Sequence, residues 1–224
     1  MNSSLSNVSL SNRTIRQLSY RRDPSSYQEF LELLYHDIDL TIDKLSQSKD
    51  KYLQGMKDNS KKGEDLINLY ICDMLDARGW VANHSKYVNG NADIIVSTDY
   101  GEYEWIGEGK IRSGNGNLDK GIKQLIHRYS TGRDFKTSGG MMIYVKDSDV
   151  KAKKMLDDWK DYLMSPDLNV VNKEGLPTIL PPALRVENCP EKQLVFYSYH
   201  EHPSSGLEYT VRHVIIDFRH NPLE

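Results

Sequence analysis

Apolar residues recur at three- and four-residue spacing from Tyr27 through Phe30, Leu31, Leu34, Ile38, Ile42 and Leu45. That stripe predicts one long amphipathic helix from Ser25 to about Gly55, and the polar stretch "KDNSKKG" after it reads as a linker. A second helix is predicted from Gly63 through "EDLINLYICDMLDARGW". It is apolar around most of its circumference, so it belongs in a core, and Gly79 is its stop. The period then changes. Runs at about 80–88, 92–98 and 103–111 have strand character, and "TDYGE" joins the last two as a hairpin. "SGNGN" reads as a loop and 118–131 as an amphipathic helix. "GGMMIYV" is a continuous apolar run of the kind found inside a sheet, and 148–164 is helical again. A Pro-rich excursion, "PDLNVVNKEGLPTILPPAL", precedes a closing strand pair in "KQLVFYSYHEH" and "LEYTVRHVIIDF". The order αβββαβα, followed by further strands, predicts an α/β sandwich on a mixed sheet.

Length and composition add limits. A chain of 224 residues with 38% hydrophobic residues suits one medium domain with a helical attachment. The organisation read from it is a flexible tail over 1–24, an N-terminal helical arm and linker over 25–60, and the main domain over 61–224. Two cysteines, Cys72 and Cys189, exclude a disulfide framework and fit a reducing compartment. No run of about 18 apolar residues is present, so no membrane span is expected. "MNSSLSNVSLSNRTIRQ" lacks the basic end and apolar core of a secretory signal. The expected location is cytoplasmic. A net charge of -3 excludes a protein that coats DNA by bulk charge. Between Lys110 and Lys136, however, stand seven basic residues and two acidic ones, a local +5 that leaves -8 for the rest. Arg112, Lys120, Lys123, Arg128 and Arg133 in that stretch are the candidate contacts to a phosphate backbone.

The chemistry is concentrated in the hairpin "NADIIVSTDYGEYEWIGEGKIR", residues 91–112. Alternation along a strand puts Glu108 and Lys110 on one face, and the turn near Tyr100 brings Asp93 roughly opposite Glu108. Two neighbouring carboxylates repel each other and are costly to bury. A divalent cation removes that cost, and hard oxygen ligands on a rigid sheet are what magnesium prefers. A lysine beside them can stabilise charge that develops on a phosphate.

With Asp93 in "NADIIV" and Glu108-Gly109-Lys110 in "GEGK", the segment from about 61 to 146 resembles the PD-(D/E)xK nuclease superfamily. Members carry a glutamate on the helix before the hairpin, which Glu64 matches. Some carry a glutamine on the helix after the catalytic strand, which Gln124 matches in "GIKQLIHRY"; Tyr129 stands one residue further on than its aromatic partner should. The proline that precedes the aspartate in the family is Ala92 here. The resemblance implies a restriction-endonuclease-like αβββαβ core with a mixed sheet, preceded here by a long N-terminal helix. It implies Mg2+, with Mn2+ as a substitute, held by Asp93 and Glu108 with Glu64 on a second metal or a water. Lys110 would stabilise the attacking hydroxide and Gln124 would orient Lys110 or the substrate. DNA is the implied substrate, and restriction or phage defence the implied setting.

Plainer readings stand beside these. Asp93 can cap a turn, Glu108 and Lys110 can form a cross-strand ion pair, and Glu64 can be a first-turn helix acid. "YHEHP" offers His200 and His202, with His213 and His220 nearby, yet zinc needs three or four ligands with a fixing shell, so satisfied histidines are expected. "SGNGNLDKG" lacks the Gly-Lys-Ser/Thr ending of a phosphate loop. The apolar stripe of the first helix must be covered by a second copy, a partner protein or the domain itself. The alternative to an enzyme is a non-catalytic module that binds nucleic acid or protein, or a subunit active only in a complex.

Overall fold

The structure is a computed structural model that describes residues 23–87, 90–166 and 180–219. The expected tail over 1–24 lies almost wholly outside the described residues, as do 167–179 of the Pro-rich excursion and His220. The architecture is α/β. A seven-stranded mixed sheet carries helices on both faces. In chain order the elements are α1 (Tyr27–Ser46), α2 (Lys49–Asp58), α3 (Ser60–Asp76), β1 (Val81–Tyr87), β2 (Asn91–Ser97), β3 (Glu104–Ile111), α4 (Asn115–Lys123) and a π-helical turn (Gln124–Tyr129). β4 (Ser138–Val145), α5 (Ala152–Met164), β5 (Arg185–Asn188), β6 (Val195–Glu201) and β7 (Glu208–Asp217) complete the fold.

Across the sheet the order is β1-β2-β3-β4-β7-β6-β5. β1, β2 and β3 are an antiparallel meander, β3–β4 and β4–β7 are parallel, and β7–β6–β5 is antiparallel again. β4 is buried at every position, which is why "GGMMIYV" shows no alternation. The edge strand β5 is a short polar run with only one partly buried position, too weak a pattern to be read from sequence.

The single long N-terminal helix is a correction. α1 ends at Ser46 and α2 begins at Lys49, and the supposed linker "KDNSKKG" is mostly helical. Asn59 is what separates α2 from α3. Its extended backbone breaks the helix, and its side chain accepts the Lys62 N–H at 3.0 Å as the cap of α3. Nor is α1 an arm. Phe30, Leu34, Ile38 and Leu45 are fully buried and share one core with Ile67, Ile71, Trp105, Tyr144 and Val214. Each such side chain contributes roughly 1.5–3 kcal/mol by leaving water. The stripe is therefore covered by the chain's own α3 and sheet, and needs no second copy. Asp37 ties α1 down further, accepting from Arg78 at 3.2 Å and from the Trp80 indole at 2.8 Å.

The other face packs α4, the π turn and α5 against Ile106, Met141, Ile143, Phe196 and Ile215. It buries a polar chain whose direction follows from its donors. The Trp159 indole can only donate, and it does so to His213 Nδ1 at 3.1 Å. The His213 proton is therefore on Nε2 and goes to Ser198 Oγ at 2.7 Å, and the Ser198 hydroxyl donates to His200 Nε2 at 2.8 Å. His202 accepts from Ser205 through Nδ1. His202 Nε2 is buried without a partner, so of these histidines His200 and His213 belong to the hydrogen-bonded chain.

Burial, aided by His127, holds His200 down to about 4, and burial with His200 beside it holds His213 well below the usual imidazole range. Both are neutral in the fold where the unfolded chain takes up protons, so stability is lost as pH falls from 6.5 towards 4. Stability should fall between pH 7 and pH 5, by on the order of 2 kcal/mol from His200 alone, and the melting temperature with it. His200→Gln should flatten that drop; an equally steep fall in the variant would show that other groups carry it.

Candidate active site

The pairing of β2 with β3 runs from Ser97↔Glu104 to Ile94↔Gly107 and stops there. β3 continues to Ile111 against β4. Successive N–H groups of a strand point to opposite edges. Arg112 donates to Tyr144 O on the β4 side, so the N–H groups of Gly109 and Ile111 point to the edge that β2 no longer covers. Carboxylates take both. Gly109 N–H donates to Asp93 Oδ2 at 3.0 Å, and Ile111 N–H donates to Glu64 Oε2 at 2.8 Å. Asp93 stands one residue beyond the last β2–β3 pair, in the position to face Glu108. Glu64 comes from α3. Three elements thus deliver three acids to one end of β3.

Lys110 lies among them. Its Nζ is 2.6 Å from Glu108 Oε1, 3.6 Å from Glu64 Oε1 and 3.8 Å from Asp93 Oδ2. It also donates to Gly109 O at 3.1 Å. The Glu108 side chain is only 1% exposed, and its Oε2 is buried with no hydrogen-bond partner. Burial pushes the Glu108 carboxyl up to about 8, with Asp93 adding to the effect and Lys110 opposing it. Burial likewise raises Asp93, against Lys110 and the Gly109 N–H, and raises Glu64, against Lys110 and the Ile111 N–H. Burial disfavours the charged Lys110 ammonium, but Glu108, Asp93 and Glu64 outweigh it and raise Lys110.

Behind this cluster the packing is tight. A Cβ at Gly109 would lie 2.2 Å from Asn68 Oδ1 and 2.8 Å from Tyr144 Oη, so only glycine lets α3 approach β3 here. Asn68 is fully buried and accepts from the Tyr144 hydroxyl at 2.5 Å, while its Nδ2 has no partner. Asn68 follows Glu64 by one helical turn, so this contact sets the height of Glu64 over the β3 edge. Sequence reasoning missed the pair. The available signal was an asparagine inside the otherwise apolar run "LINLYIC".

Gln124 opens the π turn, and its Nε2 donates to Tyr129 Oη at 3.1 Å. The five-residue spacing is the point. In a π turn residues five apart come into line, where an α-helix aligns residues four apart. The extra residue between Gln124 and Tyr129 is thereby absorbed. Burial raises the Tyr129 hydroxyl first, and the Glu108 and Asp93 charges raise it further.

The basic residues divide. Lys120, Arg128 and Arg133 are exposed and Lys123 is half-buried. Lys120 and Lys123 lie on the last turn of α4, and Arg128 packs over Gly90 at the β1–β2 connection. Arg112 lines a cavity of about 680 Å³ with Asn115, Asp158, Asp161, Tyr162 and Ser165, so it is set against two acids of α5. Lys136 pairs with Glu104 at 3.5 Å.

The donor set suits a hard divalent cation in kind, with three carboxylates on rigid elements and one buried oxygen left unpartnered. Glu64, Asp93 and Glu108 would hold it. Comparison with protein-family models, with curated proteins and with solved structures gave no match.

Because Asp93 serves the Gly109 N–H as well as the cluster, the two roles separate by substitution. Asp93→Asn keeps an oxygen acceptor and removes a repelling charge, so the metal-free melting temperature should hold. Asp93→Ala leaves the Gly109 N–H unpaired and should cost about 1–3 kcal/mol. Equal melting temperatures for the two variants would show that the hydrogen bond is not what fixes Asp93.

Proposed function

We propose that the chain is a metal-dependent nuclease that hydrolyses DNA phosphodiester bonds on a PD-(D/E)xK-like core. The observation that carries this reading is the convergence of Glu64, Asp93 and Glu108 from α3, β2 and β3 on Lys110 Nζ within 3.8 Å. A purely binding surface for an anionic backbone gains nothing from gathering three acids there. The order α3–β1–β2–β3–α4–β4 supports the same reading, since it runs αβββαβ through one mixed sheet.

The chemistry that a bound Mg2+ supplies is charge against the phosphate and a more acidic water. The chain's own groups do the rest. Asp93 and Glu64 are fixed by the β3 backbone, so their remaining oxygens are pre-set. Lys110 offers positive charge to the phosphate oxygens as water joins phosphorus and the bridging P–O bond breaks. Gln124, held by Tyr129, lies on the flank from which the strand would approach, and Lys120, Lys123, Arg128 and Arg133 extend that flank with charge for neighbouring phosphates.

Plasmid cleavage in Mg2+ and in Mn2+ should be abolished by Asp93→Asn and cut by at least about a hundredfold by Lys110→Ala. Cleavage by wild type in chelator, or undiminished cleavage by Asp93→Asn, would end the proposal. For the basic flank, neutralising Lys120 and Lys123 together should flatten the dependence of log affinity on log salt by about 1.8 units. Base preference should be unchanged. A slope equal to wild type would place the DNA elsewhere.

A further inference from the structure

Lys110 stands where the charge of a cation is needed. Its ammonium touches one carboxylate at hydrogen-bond distance and two at ion-pair distance, and with all three acids ionised one positive charge against three negative would leave two uncompensated. That remainder is the charge of one divalent cation. With Lys110 so placed, the acids are arranged around the ammonium. At the same time Glu108 Oε2, in a side chain 99% buried, has no partner at all. Burying an acceptor of this kind without a bond is costly, so the arrangement is a resting one that a better partner would replace.

The backbone contacts show what can move. Asp93 Oδ2 and Glu64 Oε2 are tied to β3 N–H groups. Glu108 has no such tie, and Lys110 is held only through its tip and its stem. A Cβ on Gly121 would meet Lys110 Cγ at 3.1 Å and the tip of Met141 at 2.8 Å. The stem therefore lies against the α4 backbone, and the ammonium beyond it can swing on its remaining torsions.

We propose that Lys110 is the resting counter-cation of the cluster, and that a divalent cation and the Lys110 ammonium compete for the same carboxylates. Binding of the metal and displacement of Lys110 are then one event. This rests on the metal-dependent reading above. It gives Lys110 a second role besides its charge in the reaction: it keeps the acids together without metal and sets how much free cation is needed to load the site. It also delivers the lysine towards the substrate only once the site is loaded.

The test is Mg2+ titration of the full chain by calorimetry, wild type against Lys110→Met, which keeps the stem and removes the charge. The variant should bind Mg2+ about tenfold more tightly or better, because close charge pairs couple by at least that much. It should also melt lower than wild type without metal and gain more from adding it. Lys44→Met, which removes a charge of the same sign at an exposed position of α1, should leave the affinity within about twofold. A second measurement needs no variant: acylation of lysines in wild type, read by mass spectrometry, should rise at Lys110 when Mg2+ is added. Equal affinity of wild type and Lys110→Met, or an effect of Lys44→Met as large as that of Lys110→Met, overturns the competition. So does Lys110 labelling that saturating Mg2+ does not change. Absence of Mg2+ binding in both proteins overturns the metal-dependent reading itself, and the competition with it.

Discussion

Two backbone N–H groups organise this molecule. β2 and β3 part after Ile94↔Gly107, with β2 running on to Asn91 against β1, and Gly109 and Ile111 are left with donors pointing at the edge that β2 has left. Buried donors without partners cost as much as a lost hydrogen bond. The chain answers with side chains instead of backbone, Asp93 from the strand that has turned away and Glu64 from the helix above. Everything particular to the site follows. The acids must come close because adjacent odd residues of one strand are close. They must be partly buried because the edge is buried. Their repulsion then requires a cation, and Lys110, on the same strand, provides one.

The parts of this that could be read in advance are those with local causes. Alternation along "EWIGEGKI" places Glu108 and Lys110 together whatever surrounds the strand, and the hairpin turn fixes Asp93 against Glu108 to within a step. Glu64 and Gln124 were legible through the order of elements around them. What escaped has non-local causes. Nothing in the stripe of α1 says that its cover is the chain's own α3 and sheet. Ser60 to Gly63 carry no apolar period, yet they are helical because Asn59 caps them and α3 continues into the core. The π turn is visible in the sequence only as an inconvenient spacing between Gln124 and Tyr129.

Buried polar groups in this molecule are matched to different degrees. The Trp159–His213–Ser198–His200 chain is donor-matched from end to end, so it specifies how α5, β6 and β7 fit and does little else. At the candidate site the account is incomplete. Asn68 Nδ2 and Glu108 Oε2 are both buried and unpaired. Of the two, Glu108 Oε2 lies within a cluster of like charges, where an added positive partner would both supply a bond and relieve repulsion.

The position of β7 in the sheet makes the order of synthesis matter. Ser138 of β4 pairs with Thr210 of β7, 72 residues later, while the β1–β2–β3 meander closes on neighbours a few residues away. As the chain leaves the ribosome, the acids and the lysine can therefore assemble early. β4, apolar along its whole length, can add to β3 at once but then waits with a bare edge for β7 to emerge. That interval is slow in proportion to the loop it must close, and an exposed apolar strand edge is where chains associate wrongly. The acidic end of the sheet is thus specified long before the sheet that supports it is sealed.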